Sequence, residues 1–409
     1  MRYSGIFVLI FLSILLLSCE ISLLEAPVPN KRIEDELSSC IALSDSSLKA
    51  MEGIYSVSDG KLHFGDSVVI KYNNSGLSIF CEKNASFMIL NAGYCIDKII
   101  LAGYWRFVES ADIGFIKLVI DELDVINNII NGTKVNDISL SGIYHFGKDK
   151  PILLEKLSEL PDQDFLVVGH RGGGRNTERY PHSENSLEIL KYAEKLGANG
   201  VEIDVQMTKD GIPVLFHDSF MSKRLVQQDY FIGEISDYSF AQLRSFCTLI
   251  HGEKIPTLEE ALQTIILDTE LQFVWVDIKY TGIMEKIANL QLEYLTLAEQ
   301  NGREIEIMIG LPNEDIFNEY IKMEDFENHP SLCELSEEFC TKAKSKIWAP
   351  NWSLGFLDER VIQMQNKGIR VITWTLDEPL FIRKYILKSG FNGILTNYPS
   401  IVSYEYYSK

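Results

Sequence analysis

From about residue 165 onward, short apolar runs alternate with longer amphipathic segments, and this rhythm restricts the fold more than any other feature. Continuous apolar runs separated by helix-length segments are typical of parallel strands covered by helices on both faces. Eight such strands over about 245 residues predict an α/β fold, a (β/α)₈ TIM barrel over residues 164–409, with a doubly wound sheet as the alternative. The predicted strands are residues 165–169, 200–205, 213–216, 273–278, 305–309, 347–349, 369–374 and 393–395.

Residues 49–147 have a different texture, with short β-prone runs separated by Asn, Asp, Gly and Ser. Such closely spaced strands predict a small antiparallel β-barrel or sandwich that precedes the TIM barrel. Three Gly-x-Tyr/Trp pieces, at residues 53–55, 103–105 and 142–144, resemble strand starts of a lipocalin-like barrel. A generic accessory domain fits the same pattern. Residues 147–164 are polar and contain proline, which predicts a connector.

The N-terminus is typical of an export signal. Arg2 precedes an apolar run over residues 6–17, which is too short to span a bilayer comfortably. The run ends at Ser18-Cys19, which resembles a bacterial lipobox. Residues 1–19 are therefore expected to be a signal peptide with Cys19 as the lipidation site, and residues 20–48 a tether. The predicted product is an exported, membrane-anchored lipoprotein facing the periplasm or cell surface; an ordinary signal peptide with Cys19 as a bystander is the alternative.

The net charge narrows the possible partners. The net charge of −20 opposes binding to nucleic acid, so no nucleic-acid partner is expected. The same charge would repel a phosphodiester, so such a substrate would need a cation or local basic groups at its site.

Six cysteines besides Cys19 permit disulfides or buried thiols, and none has zinc-site spacing. Cys333 and Cys340 could pair only if they do not share one helix.

Three carboxylates are placed where they could share a cation. Glu202 and Asp204 are two residues apart on a predicted strand, so both side chains point to the same face. Asp277, two predicted strands over, can complete the cluster. Oxygen ligands suit a hard cation, so one divalent ion, Mg²⁺ or Ca²⁺, is the predicted cofactor. A structural ion pair between Glu202 and Lys279 or Arg171 is the alternative.

Two histidines stand where predicted strands end in loops. His170 and His217 beside the carboxylates favour a general acid and a general base over isolated structural histidines. Cleavage of a phosphodiester needs both functions, together with neutralisation of the non-bridging oxygens. Arg171 offers a bidentate phosphate donor and Lys279 a point charge.

The motifs in this region resemble those of the glycerophosphodiester phosphodiesterase family over nearly all of residues 165–400. The resemblance implies His170 and His217 as the acid/base pair, Glu202, Asp204 and Asp277 as metal ligands, and Arg171, Lys279 and Trp374 as substrate-binding residues. One departure is Asp277, where the family usually has Glu, and this shortening could alter metal geometry or selectivity. The matching segments are His170-Arg171-Gly172, Ser183-Glu184-Asn185-Ser186, residues 197–205, residues 208–218, residues 255–260 and residues 393–399.

The implied activity is metal-dependent hydrolysis of a small-molecule glycerophosphodiester to sn-glycerol 3-phosphate and an alcohol. The attacking group could be water or the adjacent hydroxyl of the substrate. A lysophospholipase D-like or phosphatidylinositol-type phosphodiesterase on the same barrel is one alternative. A surface binding protein that uses the β-domain is another, and no particular protein partner is indicated.

Overall fold

The computed structural model describes residues 32–108, 110, 112–162 and 164–409. The predicted signal peptide, Cys19 and the first part of the predicted tether lie outside these residues. Within the described ranges, no helix has both the length and the apolar character that crossing a bilayer requires.

The first domain is an antiparallel barrel in which eight strands pair in sequence order and the last strand pairs with the first. Consecutive antiparallel strands need only short turns, which suits the polar breaks in this segment. The predicted β-domain is confirmed, as a closed barrel. A two-residue strand, β1 (Ile41–Ala42), is added beside it. The barrel strands are β2 (Gly53–Asp59), β3 (Ser67–Tyr72), β4 (Leu77–Cys81), β5 (Phe87–Cys95), β6 (Lys98–Arg106), β7 (Ile113–Ile120), β8 (Ser139–Phe146) and β9 (Lys148–Ser158).

Two segments differ from the predicted domain boundaries. Residues 148–158, expected in the connector, form β9, which pairs with β2 and closes the barrel. Residues 32–48, expected in the tether, form ordered structure, and a Cys40–Cys95 disulfide ties them to β5. A strand that closes a barrel can carry polar residues on its outer face, which explains why residues 148–158 looked like a linker. The helices of this region are α1 (Arg32–Leu37), α2 (Asp45–Lys49), α3 (Lys61–Phe64) and α4 (Leu123–Ile130).

The second domain is a closed barrel of eight parallel strands, as predicted. Strands alternate with helices, and the side chains of the strands are almost entirely buried, as expected for a parallel sheet covered by helices. The strands are β10 (Leu166–Gly169), β11 (Gly200–Met207), β13 (Phe273–Ile278), β14 (Glu306–Leu311), β15 (Ser331–Cys333), β16 (Ile347–Trp348), β17 (Arg370–Thr373) and β18 (Gly393–Thr396).

One predicted strand lies outside the ring, and an unpredicted strand takes its place. The segment around residues 213–216 forms β12 (Pro213–Leu215), which pairs antiparallel with the end of β11 and lies outside the barrel ring. The barrel strand that replaces it is β15, whose three residues are too few for a periodic pattern. Asp277 therefore lies on the strand adjacent to β11 and not two strands away.

Helices cover the outside of the parallel barrel. Their starts follow the usual capping chemistry; Thr257 and Glu260, for example, form a reciprocal capping box at the start of α7. Cys333 lies on β15 and Cys340 on α10, so these cysteines do not share a helix. Both thiols are nevertheless free and buried. The helices are α5 (Leu187–Ala193), α6 (Phe240–Phe246), α7 (Leu258–Asp268), α8 (Met284–Gln300), α9 (Glu314–Tyr320), α10 (Glu337–Lys342), α11 (Asp358–Gln365), α12 (Pro379–Lys388) and α13 (Pro399–Tyr407).

The two barrels share one apolar interface. Val69, Phe80 and Phe87 on the outer face of the β-barrel belong to the same buried cluster as Val402 and Tyr404 of α13. This contact explains why every residue of β4 is buried: one face fills the β-barrel and the other packs on the parallel barrel. Removing a fully buried aromatic side chain from water contributes about 2 kcal/mol, so the interface fixes the domains against each other.

Candidate active site

Three buried carboxylates meet at the end of two adjacent parallel strands. Glu202 and Asp204 project from β11, and Asp204 is in direct register with Asp277 on β13. One oxygen from each of the three side chains lies within 4.8 Å of the others. The two-residue spacing places Glu202 and Asp204 on the barrel side of the same strand, and strand register places Asp277 beside them. The structure thus brings together the three predicted metal ligands.

Burial and mutual repulsion make this cluster electrostatically unfavourable without a cation. Burial, together with the charges of Asp204 and Asp277, raises the pKa of Glu202 well above its usual range. Burial also raises the pKa of Asp277, despite the neighbouring Lys279. Asp204 differs: burial opposes its ionisation, but Lys279 and other nearby positive groups hold its pKa at about 2. A single lysine cannot compensate three carboxylates in a buried site.

The donor set fits a hard divalent cation. Glu202 Oε1, Asp204 Oδ1 and Asp277 Oδ1 are buried and make no hydrogen bond to any residue that the structure describes, although buried polar atoms are normally satisfied. Oxygen atoms arranged in this way are the ligands that Mg²⁺ and Ca²⁺ prefer. Lys279 reaches two of these carboxylates: its ammonium hydrogen-bonds to Asp277 Oδ2 and lies 3.1 Å from Asp204 Oδ1. Its predicted position next to the cluster is therefore observed.

His170 directly follows β10. It is held by a chain of hydrogen bonds from residues that follow β17 and β18. Its Nδ1 lies 2.9 Å from Asn397 Oδ1, while Asn397 Nδ2 donates to Asp377 Oδ2. An amide oxygen only accepts, so Nδ1 carries the proton and Nε2 is left with its lone pair. Nε2 lies 3.9 Å from Glu202 Oε2. Burial, reinforced by Arg171, lowers the pKa of His170 to about 3, so the ring is neutral at neutral pH.

His217 follows β12 and is oriented by its neighbour in sequence. Its Nδ1 lies 2.6 Å from Asp218 Oδ1, and a carboxylate only accepts, so Nδ1–H is the donor. Arg224 donates to the same Asp218 oxygen at 2.7 Å and so fixes the carboxylate. His217 thus presents Nε2, as His170 does, although it is placed by a strand outside the barrel ring.

Arg171 lies deeper than a substrate-binding arginine on a loop would. Its side chain is buried, and its Nη1 donates to Glu184 Oε1 at 2.7 Å. Its φ of +52° turns the backbone N–H toward Glu202 Oε2, 2.7 Å away. A non-glycine residue in this left-handed region costs on the order of 1 kcal/mol, which the charge-assisted hydrogen bond offsets. Nε is buried without a hydrogen-bond partner among the described residues, and it lies 3.9 Å from Asp204 Oδ2.

Trp374 lies just beyond the end of β17. Its Nε1 donates to Ala349 O at 2.8 Å, which fixes the indole plane against the next strand end. The ring packs on the apolar cluster that fills the inside of the parallel barrel. It therefore occupies a wall position at the same end of the barrel as the carboxylates, because the ends of parallel strands share one edge.

Comparison with known proteins decides the family. The model of the glycerophosphoryl diester phosphodiesterase family matches residues 170–401, more than half of the chain. The chain belongs to this family. It is a phosphoric diester hydrolase of a metal-dependent family, and the class of enzyme expected from the motifs is confirmed.

Relatives of this phosphodiesterase differ in how much of the chain they match. The glycerophosphodiester phosphodiesterase of Caldanaerobacter subterraneus is 28% identical over 253 residues, covering 57% of this chain and 94% of that protein. Glycerophosphodiester phosphodiesterase 1 of Homo sapiens is 34% identical over 110 residues, covering 25% of this chain and 30% of that protein.

Solved structures resemble the parallel barrel. A glycerophosphodiester phosphodiesterase from Parabacteroides distasonis is 21% identical, covering 59% of this chain and 96% of that chain, with a TM-score of 0.47. A phosphodiesterase from Oleispira antarctica, solved in complex with the product sn-glycerol-3-phosphate, is 21% identical, covering 59% of this chain and 95% of that chain, with a TM-score of 0.47.

Several side chains at the site of this phosphodiesterase were given no role from the sequence, although Asn185 and Asn397 belong to the matching motifs. Asn397 and Asp377 orient His170, and Asn185 Nδ2 donates to Asp204 Oδ2 at 2.7 Å. Glu334, directly after β15, has a buried Oε1 without a hydrogen bond; burial and the charge of Asp277 raise its pKa. Glu334 was missed because β15 itself was missed: Ser331-Leu332-Cys333 begins with a polar residue and is too short to be recognised as an apolar strand.

Proposed function

We propose that this chain hydrolyses glycerophosphodiesters to sn-glycerol 3-phosphate and an alcohol, with one bound Mg²⁺ or Ca²⁺. The observation that carries the proposal is the cluster of three buried carboxylates, each with one oxygen within 4.8 Å of an oxygen of the others and each with a buried oxygen that makes no hydrogen bond to the described residues. Glu202, Asp204 and Asp277 would hold the cation. When bound, it would neutralise the non-bridging phosphate oxygens, which a chain of net charge −20 otherwise repels.

His170 and His217 would divide the proton transfers. Because the His170 ring is neutral and its Nε2 is unprotonated, it is suited to take the proton from the attacking hydroxyl. The carboxylate of Asp218 stabilises positive charge on the His217 ring, which suits this residue to protonate the leaving alkoxide. The two roles are assigned from the groups that surround each ring, since both rings present Nε2 in the same way.

The remaining predicted residues would position the substrate. Arg171 Nε and the Lys279 ammonium carry positive charge next to the carboxylates, where the phosphate must approach. Trp374 would present its ring as an apolar wall for the glycerol or head group. Lys279 would move from the carboxylates toward the phosphate once a cation replaces it electrostatically.

Export with a lipid anchor at Cys19 remains our proposal for localisation. The run of residues 6–17 followed by Ser18-Cys19 supports it. The Cys40–Cys95 disulfide is also consistent with an oxidising compartment, since disulfides persist outside the cytoplasm. Metabolic labelling with a radioactive fatty acid would test it: the wild-type chain should be labelled and Cys19→Ala should not, and equal labelling of both would contradict it.

The activity is tested by release of glycerol 3-phosphate from glycerophosphocholine and glycerophosphoethanolamine. We expect release that stops after treatment with EDTA and returns with Mg²⁺ or Ca²⁺. His170→Ala and His217→Ala should each lose at least about 100-fold in kcat, the usual scale of acid/base catalysis. Activity that survives EDTA or either substitution would rule out the mechanism. A folded, metal-loaded protein with no activity on either substrate would favour a lipid phosphodiester.

A further inference from the structure

A cavity of about 400 Å³ lies between the two barrels, and none of the three carboxylates lines it. The β-barrel contributes residues of β5, β6 and β7, and the parallel barrel contributes the loop around residues 179–182 and the end of α5. Two tyrosines of its lining, Tyr104 and Tyr192, hydrogen-bond to each other across the domain boundary at 2.5 Å. The cavity therefore exists only because the β-barrel is docked on the enzyme domain.

The charge of the lining is unusual for so acidic a chain. Arg106, Arg179 and Lys195 line the cavity, whereas Glu34 is the one acidic residue among the described lining residues. In the part of the chain that the structure describes, none of the three cations has a carboxylate within 4.0 Å; neighbouring basic residues such as Arg175 do. Unpaired positive groups around a concave, low-dielectric wall focus a positive potential in the cavity.

Arg106 makes the strongest case, because it is only 3% exposed. Its Nη1 and Nη2 donate to the backbone carbonyls of Arg179 and Glu178, and its Nε has no hydrogen-bond partner. A buried guanidinium normally has a carboxylate partner, since its desolvation is costly. No carboxylate among the described residues compensates the charge of Arg106. A negatively charged ligand in the open space beside the side chain would compensate it.

The other part of the lining is apolar. Ile33, Ile89, Ala102 and Ile113 face the same space, and the first three are buried even without a ligand. A ligand that suits this cavity must pair a negative head with a small apolar body, because a bare inorganic ion would leave the apolar wall wet.

We propose that the cleft between the two barrels is a binding site for a small amphipathic anion, held by Arg106, Arg179 and Lys195. The site is separate from the catalytic centre and does not depend on the proposed reaction. It gives the β-barrel a role, because half of the lining belongs to that domain.

The test is isothermal titration of the full-length protein with hexanesulfonate, which carries a permanent negative charge on a short alkyl chain. We expect binding of one equivalent, with no detectable binding of hexyltrimethylammonium. The double variant Arg179→Met/Lys195→Met should lose at least about tenfold in affinity, equivalent to about 1.4 kcal/mol. Ile113→Trp, which fills the cavity from its edge, should lose binding without any change of charge.

The matched control is Lys367→Met/Lys388→Met, which removes two exposed positive charges elsewhere on the parallel barrel. This variant should bind hexanesulfonate as the wild type does. If hexanesulfonate fails to bind the wild type, the proposal is wrong. Equal affinity in the cavity variants and the control would place the anion elsewhere, for example beside Arg171 and Lys279, and would overturn it equally.

Discussion

Asp204 and Asp277 are register partners on adjacent parallel strands, so their carboxylates lie side by side in the buried end of the barrel. Parallel pairing fixes the distance between the two backbones at about 4.8 Å, and the side chains have no freedom to separate. Two such groups can both be ionised only with positive charge between them. The relationship makes the metal site a property of strand register and not of loop conformation.

Asp277→Asn tests this relationship through metal binding. Loss of one charged ligand should weaken binding of Mg²⁺ or Ca²⁺ by about 10- to 100-fold, measured by titration calorimetry on metal-free protein. The metal-free variant should also be more stable than the metal-free wild type, because one repelling charge is gone. Unchanged affinity would show that the cation binds elsewhere. Asp277→Glu, which restores the longer family side chain, should retain binding and change the Mg²⁺/Ca²⁺ preference.

Asn397→Ala tests how His170 is positioned. Without the Asn397 oxygen, Nδ1–H has no partner and the ring can adopt the wrong tautomer or orientation. We expect kcat to fall about 10- to 100-fold with KM changed less than about threefold. Asn301→Ala, the same change at an exposed helix end, is the control and should leave both constants unchanged. A loss confined to KM would assign Asn397 to substrate binding instead.

Glu253→Gln tests how the loop before α5 responds to acid, because Glu253 accepts hydrogen bonds from Ser183 in that loop. Burial opposes ionisation of Glu253, but hydrogen bonds from His182 and Ser183 outweigh it and lower its pKa to about 2. A carboxyl whose pKa is lower in the folded state stabilises the fold above its unfolded pKa, about 4.5, and loses this as pH falls toward 2. The variant should be about 1–3 kcal/mol less stable at pH 7.

The pH dependence distinguishes this effect from simple loss of packing. The difference in free energy of unfolding between wild type and Glu253→Gln, from urea titrations, should shrink steadily between pH 4.5 and pH 2. A difference that stays constant over that interval would show that the charge of Glu253 contributes nothing.

Cys40→Ser/Cys95→Ser tests the link between the N-terminal segment and the β-barrel. The disulfide joins residues 55 apart, and a loop of this size contributes about 3–4 kcal/mol in the chain-entropy model. The double variant should unfold at lower urea concentration, and reduction of the wild type should reproduce the shift. Cys81→Ser, at a buried free thiol, is the comparison: it keeps the disulfide, so its stability should fall on reduction as that of the wild type does, whereas the double variant should not respond to reductant.

Most of the chemistry could be predicted from the sequence because it is local. Glu202 and Asp204 share a strand, so their spacing alone placed them on one face; Asp218 directly follows His217, but its role in orienting the ring came from the structure. The alternation of apolar strands and helices also sufficed for the barrel class. The short β15 was missed, and β12 was mistaken for a ring strand, because three residues carry no period that distinguishes a ring strand from an edge hairpin.

Contacts between residues far apart in the chain were decided only by the tertiary structure. The pairing of Asp204 with Asp277, the chain from Asp377 through Asn397 to His170, and the choice of Cys95 as the partner of Cys40 each join distant parts of the chain. The cavity between the two barrels belongs to the same class of feature. Sequence fixes which side chains each element presents and on which face, since that follows from local periodicity. Which elements meet depends on strand register, barrel closure and domain docking, whose free energy is summed over the whole core.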